Sequence, residues 1–174
     1  MFSSSTTAPV TVLNEFGYDE AMRKIKYERY YEQTIAFIKE HEGFAGGREY
    51  ECAAGYRTIG YGHVIKQNEI FAERISKKEA DRLLRKDFDK ALQLAKKHTN
   101  NLNDNQLFAI AHFIFAKGVG NFLRSRIKIM IDNGESPIEE FGKWCKYRKP
   151  DGTIVKSEYS MNIRKWEAAM YGTK

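Results

Sequence analysis

The chain has 174 residues, 42% of them hydrophobic and 30% charged, with a net charge of +6. That length supports one domain with a real core rather than two, and no run of about 18 apolar residues is present, which argues against a membrane-spanning helix. The basic excess suits an anionic polymer as partner: nucleic acid, a lipid surface or bacterial cell wall.

Residues 1–13 are mainly Ser, Thr, Ala and Val and read as a flexible leader. Residues 18–30, dense in charge and Tyr, read as the start of a helix. The domain division is drawn at residue 30, with an N-terminal extension before it and residues 31–174 as the folded domain. Tyr31, Ile35 and Ile38 recur at helical spacing and predict a helix ending near His41 and Glu42, with Gly43 as its left-handed stop. Residues 44–65 are rich in Gly, Tyr, Thr and Ile and predict a small antiparallel sheet.

Ser76 followed by Glu79 reads as a capping box, and Leu84, Phe88, Ala91 and Ala95 form the apolar stripe of the helix it opens. Asn103 and Gln106 repeat the box before Leu107 to Phe115, which is apolar nearly all round and predicts a central, buried helix. Further helices are expected over Arg124 to Asp132, from Ser136-Pro137 with Ile138, Phe141 and Cys145 on one face, and from Ser160 to Tyr171. Pro150-Asp151-Gly152-Thr153 reads as a turn. The fold class is α+β: a small antiparallel sheet beside a larger helical bundle, with a cleft between them.

Cys52 and Cys145 are the only cysteines and make no disulfide framework. Neither has a neighbouring Cys or His at ligand spacing, so no metal is predicted, and no cofactor. The N-terminus has no charged start followed by an apolar core, so no signal peptide is expected. Lys143 to Arg148 interleaves bases and aromatics as a nucleic-acid surface would. The same spacing suits a helix face on a core, and no nucleic-acid motif is present.

Glu42 is the leading chemical candidate. A carboxyl at a helix C-terminus faces the negative end of the macrodipole, which favours its protonated form. Cleavage of a glycosidic bond needs a protonated carboxyl beside the bridging oxygen. Across the expected cleft, Thr58-Ile59-Gly60-Tyr61-Gly62-His63 reads as a sharply turned hairpin.

Glu42-Gly43-Phe44 and Thr58 to His63 together resemble the signature of the phage-type lysozymes (endolysins, glycoside hydrolase family twenty-four). In that family Glu-Gly-Phe/Leu is followed by Asp or sometimes Cys, and then by Thr-Ile-Gly-x-Gly-His. The resemblance covers residues 31–171. Six residues before Thr58, where most members carry Asp, stands Cys52; the usual interval counted forward from Glu42 lands on Glu51, which remains a rival second group. In a strand the two point to opposite faces, so at most one meets the cleft.

The resemblance implies a lysozyme-like fold and a muramidase that hydrolyses the bond between N-acetylmuramic acid and N-acetylglucosamine. It implies Glu42, Cys52 and Thr58 as catalytic residues, with Thr58 holding the attacking water. Tyr61, Gly62 and Arg164 are implied as sugar contacts, and His63 as structural. Phe115-Ala116-Lys117-Gly118 keeps the Phe and Gly of the family's Phe-Asn-x-Gly. Tyr159 to Glu167 overlays its Gly-Leu-x-x-Arg-Arg-x-x-Glu and retains Arg164 and Glu167. The expected partner is peptidoglycan, met in the periplasm or outside the cell, with the protein a monomer. A lytic transglycosylase using Glu42 alone and a non-catalytic wall-binding module are the alternatives.

Overall fold

The structure, a computed structural model, describes residues 15–52, 55–148 and 151–173. The leader read over residues 1–13 lies outside the described residues, as do Ala53, Ala54, Lys149 and Pro150.

Helix α1 spans Glu15–Glu42. From Tyr18 to Glu42 it holds no Gly or Pro, so nothing interrupts its hydrogen-bond ladder. It runs unbroken through the division drawn at residue 30. Tyr27 and Tyr30, on the N-terminal side of that division, already meet Phe108 at ring-centroid separations of 4.9 and 6.3 Å. Ile35 and Ile38 are buried, on the face their spacing predicts. Gly43 ends the helix at φ +67°, and its N–H donates to the Lys39 carbonyl at 3.1 Å.

Strands β1 (Tyr50–Glu51), β2 (Arg57–Ile59) and β3 (His63–Val64) form an antiparallel sheet in that order. Tyr50 stands opposite Thr58, Glu51 opposite Arg57, and Ile59 opposite His63. The Cys52 N–H donates to the Tyr56 carbonyl at 3.0 Å and extends the β1–β2 ladder by one rung. At the β2–β3 turn, a Cβ on Gly60 would stand 2.9 Å from the Ala80 Cβ. Any side chain there would push the hairpin off the helix behind it.

That helix, α2 (Lys77–His98), is opened by Ser76, whose Oγ accepts from the Glu79 N–H at 3.1 Å. The Glu79 carboxylate stands 3.9 Å from Arg82. The α2 stripe is buried as expected. Helix α3 (Asp104–Lys117) has the complete Asn103–Gln106 box, and Phe108 to Ile114 are all buried. At about 1.5–3 kcal/mol for each large apolar side chain removed from water, α3 is the main source of core stabilisation.

The C-terminal half departs from the expected elements. A short α4 (Val119–Leu123) precedes α5 (Arg126–Asp132), which starts after a Ser125 cap rather than at Arg124. Gly118 and Gly120 hide α4 from a periodicity reading. The helix expected from Ser136-Pro137 is only α6 (Ile138–Phe141), followed by a 3-10 turn over Gly142–Cys145. Trp144 leaves helical geometry there at φ −90°, ψ 20°. Ile138 is exposed, whereas Phe141 and Cys145 are buried.

The turn at Asp151–Gly152 joins a hairpin of β4 (Lys146–Arg148) and β5 (Ile154–Lys156), each too short to register as a strand in the sequence. Trp144, partly buried, packs edge-on to Phe113 at 5.2 Å on the core. Helix α7 (Glu158–Gly172), capped by Ser157, returns across α3. Helices α1, α2 and α7 thus surround α3, and the three-stranded sheet lies against one end of this bundle.

Candidate active site

Glu42 is the last residue of α1, and the Gly43 stop turns the chain away from it. Its carboxyl looks into a cavity of about 450 Å³ between the β2–β3 hairpin, α2 and the end of α3, where Tyr61, Gly62, Phe115 and Ala116 also line the wall. Gly62 adopts φ +85°, and a Cβ there would stand 3.5 Å from Glu42 Oε2. The positive φ is what favours glycine there, and it sets the hairpin backbone beside the carboxyl. Glu42 is reached by solvent from the cleft, yet the protein around it raises its pKa, with desolvation the cause; His112 and His41 pull the other way. The direction is the one that the helix end suggests, and desolvation is its largest cause.

Two tyrosines flank Glu42. Tyr50 on β1 and Tyr159 on α7 both titrate above the usual phenol range, through desolvation first and the Glu42 charge second. Cys52 adds to the shift of Tyr50. The pleat explains this grouping. Tyr50, its cross-strand partner Thr58, and Cys52 two residues on share one face of the sheet. Glu51 and Arg57 share the opposite face, where Arg57 is held in a two-pronged pair by Glu49. Glu51 therefore stands on the Glu49–Arg57 side, and Cys52 on the side that senses Glu42. Neither Cys52 nor Cys145 is in a disulfide. Thr58 is 2% exposed, and its hydroxyl donates to the Tyr56 carbonyl at 2.9 Å, which leaves its lone pairs free to accept.

Tyr61 and Gly62 line the cleft as expected. Arg164 does not. It is 1% exposed, its guanidinium lies over the Phe113 ring at 5.2 Å, and its Nη2 donates to Glu167 Oε1 at 2.9 Å. The expectation that Arg164 touches sugar is corrected: the Arg164–Glu167 pair is a buried ion pair of the core. Its three-residue spacing puts both groups on one face of α7.

His63 holds the hairpin to the rest of the chain. Its Nδ1 meets Asp87 at 2.5 Å and its Nε2 meets Glu69 at 2.9 Å. The bond to Asp87 raises the His63 pKa against its own desolvation; Asp87, despite burial, is lowered by His63 and Lys90. A raised His contributes stability that is lost as pH rises through its folded pKa. A lowered Asp contributes stability that is lost as pH falls through its folded pKa. The melting temperature of wild type should therefore exceed that of Asp87→Asn most between those two values, with the gap shrinking on either side. A gap that does not change with pH would mean that this pair does not link protonation to folding.

The sequence shows no partner for His112 and assigns it to packing or surface. It lies on α3, and its Nδ1 meets Glu167 Oε1 at 2.6 Å. The available signal was a lone His in the otherwise apolar run from Leu107 to Phe115. Among the described residues no cluster of His, Cys, Asp and Glu could hold a metal, and no helix is long and apolar enough to cross a membrane.

Comparison with known proteins gives the family and the fold. The phage lysozyme family model matches residues 39–159. An endolysin of Acyrthosiphon pisum secondary endosymbiont phage 1 is 30% identical over 118 residues, which cover 66% of this chain and 79% of that relative. The muramidase domain of SpmX from Asticaccaulis excentricus superposes with a TM-score of 0.72 at 22% identity, over 82% of this chain and 96% of that one. The endolysin of Escherichia coli O157:H7 phage FAHEc1 gives 0.70 at 24% identity, over 80% and 90%. These two structures share the fold; the family match and the sequence relative go further. A helix-end Glu facing a glycine hairpin across a cleft is thus set in a chain that belongs to the phage lysozyme family and is a glycoside hydrolase.

Proposed function

We propose that the protein is a muramidase that hydrolyses the β-1,4 bond between N-acetylmuramic acid and N-acetylglucosamine in peptidoglycan. It would act on the wall from the periplasm or from outside. The observation that carries this reading is Glu42: a carboxyl at the end of α1 that lines the cleft, its pKa raised by desolvation, with the Gly62 backbone beside it. Glu42 gives its proton to the bridging oxygen as the bond to the sugar breaks. Thr58 accepts a hydrogen bond from the attacking water, and the Cys52 thiolate takes that water's proton, giving inversion at the anomeric carbon. The placement of Cys52 on the face that senses Glu42, with Glu51 on the other, supports Cys52 as the second group.

Digestion of purified peptidoglycan followed by mass spectrometry of the new ends tests the reaction. Free reducing ends are expected. Anhydro ends would replace hydrolysis by a transglycosylase that uses Glu42 alone, and no new ends would leave only wall binding.

The role of Cys52 has its own test. Cys52→Ala should lower lysis by about 10²-fold or more, as removal of a general base does. Cys52→Asp should keep lysis and extend it toward acid pH, because a carboxylate with a reference pKa of about 3.9 replaces a thiol of about 8.5. Wild-type lysis by Cys52→Ala would assign Cys52 to packing.

A further inference from the structure

A wall strand continues past the cleaved bond in both directions, so a muramidase needs sugar contacts on both sides of its acid. The cavity lined by Tyr61 and Gly62 supplies one side of Glu42. Tyr159, on the first turn of α7, stands outside that cavity and still reaches the end of α1. Its hydroxyl donates to the His41 carbonyl at 3.0 Å, and the carbon of that carbonyl is bonded to the backbone nitrogen of Glu42. The hydroxyl thus satisfies one of the carbonyls that a helix end leaves without an intrahelical partner. A cap of this kind needs the oxygen alone, yet Tyr159 is 50% exposed.

The ring is held in place by a row of aromatic side chains. Tyr159 and Trp166, two helical turns apart, share one face of α7, and Phe37 and His41, one turn apart, share one face of α1. Trp166 stacks on Phe37 at 4.0 Å, Phe37 meets His41 at 3.9 Å, and Tyr159 closes the row at 6.1 Å from His41. Trp166 is partly buried against the core, whereas Tyr159 is the open end of the row. A ring fixed at its hydroxyl and backed by a neighbour has little rotamer freedom left to lose when a ligand lands on it. Tyr159 also stands where the family signature has glycine, so the ring is an addition of this chain.

We propose that Tyr159 is a sugar-binding residue whose exposed ring stacks on a pyranose of the peptidoglycan strand, beside Glu42 and outside the Tyr61–Gly62 cavity. This deepens the muramidase reading and rests on it. The flat face of a pyranose presents C–H groups, which suit the negative face of an aromatic ring. With its hydroxyl engaged by His41, Tyr159 offers the strand its ring face. Tyr50, 36% exposed and paired across the sheet with Thr58, faces the same carboxyl from β1. Burial raises both phenols first and the Glu42 charge second, in keeping with a place on either side of the acid. Arg164 lies beneath Phe113 and does not reach the cleft; α7 meets the sugar through Tyr159 instead.

The test is a calorimetric titration of the full chain carrying Glu42→Gln with a soluble wall oligosaccharide of alternating N-acetylglucosamine and N-acetylmuramic acid. It is repeated with Tyr159→Ala and with Tyr159→Phe added. Tyr159→Ala should weaken binding by about three- to tenfold, the size of one aromatic contact, and Tyr159→Phe should restore most of that loss because the ring stays. With Glu42 intact, Tyr159→Ala should raise KM and leave kcat nearly unmoved, as loss of uniform binding does. Both variants lose the bond to His41, so an equal loss of affinity in the two would assign Tyr159 to capping α1 and overturn the proposal. Unchanged affinity in Tyr159→Ala would overturn it as well. If Tyr159→Ala does not fold, Tyr159→Leu, which keeps apolar bulk without a π face, gives the same contrast with Tyr159→Phe. Binding does not require cleavage, so lysis retained by Glu42→Gln would sink the acid role alone and leave this titration readable. A parent that binds no wall oligosaccharide would sink the peptidoglycan reading and this proposal with it.

Discussion

Glu42→Gln is expected to lower lysis of purified peptidoglycan by about 10³-fold or more while raising the melting temperature at neutral pH. The first effect follows from the proposed role of Glu42 as the acid, since general acids supply roughly 10² to 10⁴ in rate. The second follows from the desolvation that disfavours the charged carboxyl. The folded pKa of Glu42 is raised. Its contribution to stability is therefore intact below the unfolded carboxyl pKa and is lost as pH rises through the folded one. Above its folded pKa the wild type holds an ionised carboxyl where the protein disfavours the charge, and the neutral amide removes that cost. The difference in melting temperature should grow across the upper part of the acid range and then level off. Wild-type lysis by Glu42→Gln would remove Glu42 from the mechanism. An equal melting temperature at every pH would show that the site does not disfavour the charge.

Legibility in the sequence followed the range of the signals involved. Helix α1 and its stop, the caps at Ser76 and Asn103, and the buried run of α3 depend on neighbours within a few residues, and all were readable. The second half was read less well because its elements are short and broken by glycine. Helix α4 has five residues between Gly118 and Arg124, and strands β4 and β5 have three each, below the length at which a period can show.

In the site, Glu42, Tyr61 and Gly62 were found because the motif itself places them on the cleft wall. Counting fits both Cys52 and Glu51 as the second group. Strand register separates their faces, through the pairing of Tyr50 with Thr58 and of Glu51 with Arg57. Arg164 was misplaced for a related reason. A charged residue inside a family motif reads as a substrate contact, and only the packing of α7 on α3 shows it beneath Phe113. The partnership of His112 with Glu167 joins residues 55 positions apart, and no local pattern reports it.

The buried pair on α7 should therefore act on stability before it acts on sugar binding. Glu167→Ala leaves the Arg164 guanidinium, 1% exposed, without its carboxylate, and leaves His112 Nδ1 without an acceptor. Breaking one side of a buried ion pair costs about 3–5 kcal/mol. In a domain of this size each kcal/mol corresponds to roughly 2–4 °C, so the melting temperature should fall by about 10 °C. Desolvation already pulls the Arg164 pKa down against the attraction of Glu167, which shows how little the guanidinium has besides that carboxylate. Arg164→Ala should cost a similar amount, because Glu167 is then buried with His112 as its one remaining partner. At temperatures well below the new transition, KM for soluble wall fragments should stay at its wild-type value in both variants. Thermal melts with a KM measurement at low temperature separate the two roles. A raised KM without a fall in melting temperature would return Arg164 to the cleft, and a fall in melting temperature with KM unchanged would keep it in the core.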